Sequence, residues 1–344
     1  MKELSVIILN WNGEELLQTF LPSVVRCTIG EDCGTLADGT PISEIARLIV
    51  ADNGSTDSSL QILKEKFPQV EVMEFSSNLG FAGGYNEALA RIDTPYAVLL
   101  NSDVETTPGW LVSLYSYMSA HPQCGACQPK ILSWKNRDSF EYAGAAGGYL
   151  DSNAFPYCRG RLFDSIERDE GQYDGAPQKV AWASGAALMV RTEAYKAVGG
   201  LDEKFFAHME EIDLCVRLSG AGYDVMSITD SSIYHLGGAS LPQGNPRKVY
   251  LNFRNNLLLI HKSMPRREGR KALLRRRLIY DTMAFFMMVL KMRFGSAKAV
   301  LKAHRDFRRM RKEYKELPER NLLAALPGAE RNIIVDYYIR RKKK

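Results

Sequence analysis

The chain has 344 residues, 45% of them hydrophobic and 25% charged, with a formal net charge of +5. That balance is that of a soluble globular protein. No apolar run reaches the length of a bilayer-spanning helix, and six irregularly spaced cysteines fit free thiols in a reducing cytoplasm rather than a disulfide framework. The charge divides unevenly: net −11 over residues 1–265, +13 over 266–315 and +3 over 316–344. An acidic body with a basic tail calls for a polyanionic partner for the tail, a membrane surface or nucleic acid.

Met1-Lys2-Glu3-Leu4 runs straight into a strand, Ser5–Leu9, with no secretory signal ahead of it. The strand ends at Asn10-Trp11-Asn12-Gly13, and helix formers follow from Glu14 to Val25. Residues 28–44 read as a surface loop, and a second strand, Arg47–Ala51, ends in Asp52-Asn53-Gly54-Ser55-Thr56-Asp57. Ser55 or Thr56 can cap the next helix, Asp57 to Phe67. A third strand, Val70–Phe75, leads into Asn78-Leu-Gly-Phe-Ala-Gly-Gly84 and a helix through Asn86 to Ile92. Gly80, Gly83 and Gly84 suit a turn or a close backbone approach to a ligand. The fourth strand, Ala97–Leu100, stops at Asn101-Ser102-Asp103.

Alternation of strand and helix over these hundred residues predicts a doubly wound parallel sheet. Ligands bind beyond the carboxyl ends of such strands, and every strand here ends in Asn, Asp or Ser. Asp103, with Asn101 beside it, is a candidate for holding a divalent cation against a diphosphate, because Mg²⁺ takes one or two carboxylates plus phosphate oxygens. Neither a dinucleotide-binding glycine fingerprint nor a Walker loop follows the first strand.

Residues 129–179 predict loops and short strands forming the second half of a cleft. Val180–Val190 reads as a strand broken by Ser184-Gly185, where a glycine marks close approach by ligand or backbone. Phe205 to Gly220 carries Glu210-Glu211-Ile-Asp213 ahead of Leu214, Cys215 and Leu218 at helical spacing. Three carboxylates opening a helix suit its dipole, and one of them is a candidate general base. Val225–His235 is a further strand, with His235 again at its end. Cys124-Gly-Ala-Cys127 has redox or zinc spacing but lacks a second pair or a nearby His.

In this order, Val6–Asn12, Asp52–Asp57, Asn78–Asn86, Leu99–Asp103, the Glu210–Asp213 helix and His235 resemble the family 2 glycosyltransferases, most closely their rhamnosyltransferase-like and galactofuranosyltransferase-like bacterial members. The resemblance covers about residues 4–260. It implies a GT-A fold, a nucleotide-diphosphate sugar donor, Mg²⁺ or Mn²⁺, and inversion at the anomeric carbon. By position, Asp52 matches the carboxylate on the donor's base or ribose, with Asn10 and Asn12 in the same pocket. Asn78 and Asn86 match the donor-contacting glycine-rich stretch. Asp103 matches the last carboxylate of the metal-binding Asp-x-Asp motif, whose first Asp is here Asn101, and His235 matches a further metal ligand. Glu211 stands where the family more often has the Asp of a Glu-Asp pair, and the two carboxyls have similar pKa values. Glu211 is the expected base. Glu210 and Asp213 are expected to bind acceptor hydroxyls or to brace the helix, Gly185 belongs to the acceptor side, and Arg254 is a candidate second cation on the diphosphate.

The expected architecture is a GT-A-type α/β fold with a mainly parallel sheet, in three parts: 1–125 for the donor, 126–260 for acceptor and catalysis, and 261–344 as a basic helical extension. The acceptor is expected to be a glycan or lipid-linked glycan of cell-surface polysaccharide synthesis. In the extension, Leu278–Leu290 is an apolar block of 13 residues containing Asp281, flanked by Arg and Lys on both sides. It is too short to span a bilayer and suits the interface of an anionic leaflet, which predicts a cytoplasmic protein peripheral on the inner face of the membrane. A hairpin packed on the domain with a solvated basic face is the alternative. Arg340–Lys344 reads as a frayed end. Two rival readings are a sugar-nucleotide nucleotidyltransferase, which wants a basic glycine-rich loop after the first strand, and a nucleic-acid-binding module, which wants interleaved aromatics. The sequence has neither feature, so no nucleic-acid partner is expected.

Overall fold

The computed structural model describes residues 2–237 and 245–342. Gly238, three residues after His235 in the sequence, and Lys343 and Lys344 of the expected frayed end lie outside the described residues. The first half consists of β1 (Leu4–Asn10), α1 (Glu14–Thr28), α2 (Ile42–Ile45), β2 (Ala46–Asp52), α3 (Ser59–Lys66), β3 (Glu71–Glu74), α4 (Gly80–Ala90) and β4 (Tyr96–Leu100). Its four strands pair in parallel in the order β3-β2-β1-β4. Alternate residues of β1 feed two hydrophobic layers: Val6 and Ile8 pack with α1, α3 and α5 (Trp110–Ala120), and Ile7 packs with α4. A parallel sheet covered on both faces needs such continuous apolar strands.

The glycine-rich stretch is not a loop. Gly83 and Gly84 lie inside α4, and a Cβ on Gly84 would stand 2.6 Å from Leu9 Cδ1. The glycines let the helix close onto the end of β1.

The sheet continues through β5 (Val104–Thr106), β6 (Cys124–Ser133), β11 (Gln178–Lys179), β12 (Ala187–Arg191) and β13 (Asp224–His235). Its order is β11-β13-β6-β12-β4-β1-β2-β3, with β5 paired to β13. β12 runs antiparallel to both β4 and β6, while β13 runs parallel to β6. β6 is ten residues long and nearly all buried, where the sequence suggested loops after Pro129. Pro129 is tolerated because the β6–β13 register shifts beside it, between Ile228 and Ser232. The 125/126 boundary falls within β6, so the two halves share one sheet. Only Ala187–Arg191 of the expected Val180–Val190 strand is regular, since the chain turns at Ser184-Gly185.

A small second sheet, β7 (Gly148–Leu150), β8 (Pro156–Cys158), β9 (Arg161–Leu162) and β10 (Ser165–Ile166), stands apart. The remaining helices are α6 (Thr192–Ala197), α7 (Glu210–Gly220), α8 (Pro246–Ser263), α9 (Lys271–Leu290) and α10 (Phe294–Met310). The segment after α10 returns to the body: Leu322 N–H donates to Ser263 O and Ile333 N–H to Asp151 Oδ2. No helix among the described residues is long and apolar enough to cross a membrane. All six cysteines are free and buried, and burial holds the Cys127 thiol far above its ordinary pKa, which leaves it inert.

Candidate active site

Three clusters meet at the carboxyl end of the parallel strands. In the first, β1 and β2 set Asn10 opposite Asp52 in register. Asn10 Nδ2 donates to Asp52 Oδ1 (3.0 Å) and to Ser55 Oγ (3.2 Å), and Ser55 N–H donates to Asp52 Oδ2 (2.9 Å). Asn12 takes a left-handed backbone (φ 49°), and its Oδ1 accepts from Thr56 N–H at 2.7 Å. Asn53 then ties this turn to the next: its Nδ2 donates to Asn78 Oδ1 (3.1 Å) and Gly80 O (3.1 Å). Asn53 is a structural partner that the Asp52–Asp57 motif did not mark in the sequence, and Ser55, a candidate helix cap there, instead accepts from Asn10, while α3 starts only at Ser59.

The second cluster follows from strand pairing. β13 places His235 opposite Val104, beside Asp103, and Leu236 N–H donates to Asp103 O. His235 Nε2 stands 3.1 Å from Asp103 Oδ1 and 3.4 Å from the Asn101 carboxamide nitrogen. Its Nδ1 faces Glu141 Oε2 at 3.6 Å. Burial opposes charge on the imidazole, but the two carboxylates outweigh it and carry His235 up to about 10. Burial also opposes ionisation of Asp103, and the hydrogen bond and charge of His235 outweigh it, holding that carboxyl below its usual range. Glu141 gave no signal in the sequence because it lies in an irregular loop. The Gly237 backbone (φ 64°) admits it, since a Cβ there would meet Glu141 Oε1 at 2.6 Å.

These groups suit a divalent cation. Asp103 offers an oxygen, His235 would offer a nitrogen once a cation displaces its proton, and the Asn101 carboxamide can turn its oxygen inward. Among the described residues no three His, Cys, Asp or Glu side chains stand in a metal-binding array. A cation here would therefore take two ligands of those types and complete its shell with diphosphate oxygens and water, the habit of Mg²⁺.

The third cluster is the start of α7. Its approach is strained: Phe206, His208 and Met209 all have positive φ, at 66°, 66° and 73°. Left-handed non-glycine residues persist only where their surroundings hold them, and they gather at functional sites. α8 supplies the hold. Asn255 Nδ2 donates to Phe205 O, Ala207 O and His208 O at 2.9, 2.9 and 2.7 Å. Arg254 Nη2 donates to Lys204 O (3.1 Å) and Phe205 O (2.8 Å). Arg254 is thus spent on the backbone ahead of Glu210, and its expected diphosphate contact gives way to this bracing.

Glu210 and Glu211 open the helix, each with an Oε2 lacking a hydrogen-bond partner among the described residues. Burial pushes the Glu211 carboxyl up to about 7. Burial and the neighbouring Glu211 also push Glu210 upward. Gly185 faces Glu211: a Cβ there would lie 3.6 Å from Phe81 Cζ and 3.8 Å from Glu211 Cβ.

Asp213 is buried and paired with Arg217 (2.8 Å) and Lys262 (2.9 Å), which makes it a brace between α7 and α8, the second of its two expected roles. One further expectation is corrected. Asn86 bridges α4 to the turn after α6: its Oδ1 accepts from Tyr195 OH (2.6 Å) and Leu201 N–H (2.9 Å), and its Nδ2 donates to Leu201 O (2.9 Å). With both ends of its amide engaged inside the protein, Asn86 has no group left for a donor.

Contacts join the clusters. Asn53 reaches the start of α4, and Phe81 of that helix and Glu211 both face Gly185, where a Cβ would lie within 4 Å of each. The next residue, Ala186, accepts from Asn101 N–H at 3.0 Å, and Asn101 adjoins His235 and Asp103. One continuous rim therefore carries Asp52, Asn101, Asp103, Gly185, Glu211 and His235.

Against known proteins, the model of the glycosyl transferase family 2 matches residues 5–176, half of the chain. An N-acetylglucosaminyl-diphospho-decaprenol L-rhamnosyltransferase of Mycobacterium tuberculosis is 27% identical over 249 residues, 67% of this chain and 75% of the relative. The fold is similar to that of GalNAc-T7 solved with UDP, GalNAc and Mn²⁺ (TM-score 0.57, 16% identity, 77% of this chain and 49% of that one). It is equally similar to S. aureus TarS 1–349 in complex with UDP-GlcNAc (TM-score 0.56, 16% identity, 89% and 80%). The fold is thus GT-A: a curled, mainly parallel sheet with flanking helices.

Proposed function

The chain belongs to glycosyl transferase family 2, and on that premise we propose that it is an inverting hexosyltransferase. It moves a sugar from a nucleotide-diphosphate donor to a hydroxyl of a glycan or lipid-linked glycan, in cell-surface polysaccharide synthesis. Family membership supports this reading over a nucleotidyltransferase or a nucleic-acid-binding module. The mycobacterial relative, named for a diphospho-decaprenol acceptor, supports a lipid-linked one.

In this reading the Asn10–Asp52 pair and the Asn53–Asn78 link shape the nucleotide pocket. Asp103 and His235, with Asn101, hold Mg²⁺ or Mn²⁺, an assignment supported by their converging donor atoms and by the Mn²⁺ bound to GalNAc-T7. When bound there, the cation neutralises charge growing on the leaving diphosphate. Glu141, facing the far nitrogen of His235, keeps the ring aimed at that point.

The observation that carries the reading is Glu211. It is a helix-opening carboxyl beside Gly185, with a free oxygen and a pKa raised by burial to about 7. A base of that pKa takes a proton from an acceptor hydroxyl at neutral pH. The hydroxyl oxygen then bonds to the anomeric carbon from the face opposite the diphosphate, the carbon–oxygen bond to the diphosphate breaks, and Glu211 keeps the proton. Glu210, whose carboxyl burial and the neighbouring Glu211 also push upward, donates a hydrogen bond to an acceptor oxygen in its protonated form.

Glu211→Gln is expected to bind donor as the parent does in calorimetry while turnover falls by about 10²–10⁴-fold. Unchanged turnover in that variant rejects the base assignment.

A further inference from the structure

Helix α9 is built inside out. Arg277 and Asp281, only 2% and 1% exposed, point into the molecule. Arg277 lies over the Phe155 ring at 3.6 Å and donates to Asn153 O and Asp281, and Asp281 also accepts from His304 of α10 at 2.9 Å. The opposite side carries Ile279 (62% exposed), Met283, Phe286 (59%) and Leu290 (82%), one stripe at spacings of four, three and four. Met292, in the turn to α10, extends it at 77%. A helix on a water-soluble body ordinarily buries its apolar stripe and exposes its charges. Scattered exposed apolar residues mean little, but a contiguous patch marks a surface that something covers.

The charge around the stripe says what covers it. Between residues 271 and 310 there are eleven Lys and Arg and two Asp. Both acids, Asp281 and Asp306, are buried, while Arg275, Arg276, Lys291, Arg293, Lys298 and Lys302 are exposed. The outward face is apolar and cationic, with no exposed carboxylate of its own hairpin to offset it. A second copy of the chain docked by a two-fold axis would set these cations against themselves. Nucleic acid would leave the aliphatic stripe uncovered.

We propose that the α9–α10 hairpin is a membrane-docking surface for an anionic lipid leaflet. The Ile279–Leu290 stripe and Met292 enter the acyl boundary while the flanking cations stay among the headgroups. The Arg277–Asp281–His304 contact fixes the helix with that face outward. Through α8, which packs on α10 and braces the segment before Glu210, the docked surface is rigidly joined to the catalytic rim. The inference does not rest on the transfer chemistry.

The test is flotation of the full-length protein with vesicles of phosphatidylcholine alone or with about 30% phosphatidylglycerol, at low and physiological salt. The protein is expected to float with the anionic vesicles only, less so as salt rises. The triple change Ile279→Ser, Phe286→Ser, Leu290→Ser and the triple change Lys291→Glu, Arg293→Glu, Lys298→Glu are each expected to lower partition at least ~tenfold. Both sets lie on the surface, so thermal melts and donor hydrolysis should match the parent. Equal flotation of parent and variants, or no preference for anionic vesicles, overturns the proposal. So does a dimer in sedimentation that the serine variant dissociates, which would make the second copy the occupant.

Discussion

At the scale of single residues, the site is defined by carboxyls whose surroundings drive them apart. Asp103 is held ionised by His235, while burial keeps Glu211 poised near neutrality. A base with a pKa of about 7 predicts that kcat rises by about tenfold between pH 6 and pH 8 and then levels. A profile flat across that range would exclude Glu211 as the titrating base. The same displacement costs stability. The folded state favours protonated Glu211, so its stabilising share is full below the ordinary carboxylate pKa and is lost as pH rises through about 7. Glu211→Gln should therefore melt a few degrees higher than the parent at pH 8, with the gap closing towards pH 4.5, as read by scanning calorimetry. The positions of Asp52 and Asp103 at strand ends and of Glu211 at a helix start were legible in the sequence, because each follows an apolar strand or opens a helix. What Arg254 and Asn86 engage was not: composition marks a polar side chain as available but does not say which groups it already satisfies.

At the scale of elements, the strained approach to α7 depends on a different helix. Asn255 of α8 satisfies three carbonyls between Phe205 and His208 and so holds three left-handed residues in place. Asn255→Ala is expected to cut kcat by at least ~tenfold with little change in donor KM, because it loosens the base and not the nucleotide pocket. Its melting point should fall by a few degrees, matching about 1–3 kcal/mol for stranded buried carbonyls. A rise in donor KM alone would move Asn255 into the donor site instead. The sequence displays Asn252-Phe-Arg-Asn-Asn256 as an amide-rich helix, but its partners lie some fifty residues upstream. Gly84 of α4 shows the same limit, since its role is set by how close Leu9 comes.

At the scale of the molecule, the basic extension is not a detachable appendage. Leu257–Ile260 of α8 share one hydrophobic cluster with Leu273 of α9, Phe307 of α10, and Leu323 and Leu326 of the returning segment. Lys262 bridges Asp202 and Asp213, and Tyr314 reaches Asp202 as well. Calorimetry of the whole chain should therefore show one cooperative transition, with calorimetric and van't Hoff enthalpies in agreement. An early, separate transition that leaves donor binding intact would show the extension to be an independent unit.

The sequence by itself determined the alternating α/β layout, the polar strand ends that form the rim, and the basic tail around an apolar block, because these are periodic or local properties of the chain. Only the tertiary structure decided which polar groups are engaged in the interior, that β12 enters antiparallel, and that α9 turns Arg277 and Asp281 inward. Each of those depends on partners distant in sequence: a buried charge is tolerated only beside a counter-charge, and Arg277 and Asp281 find theirs in each other and in His304.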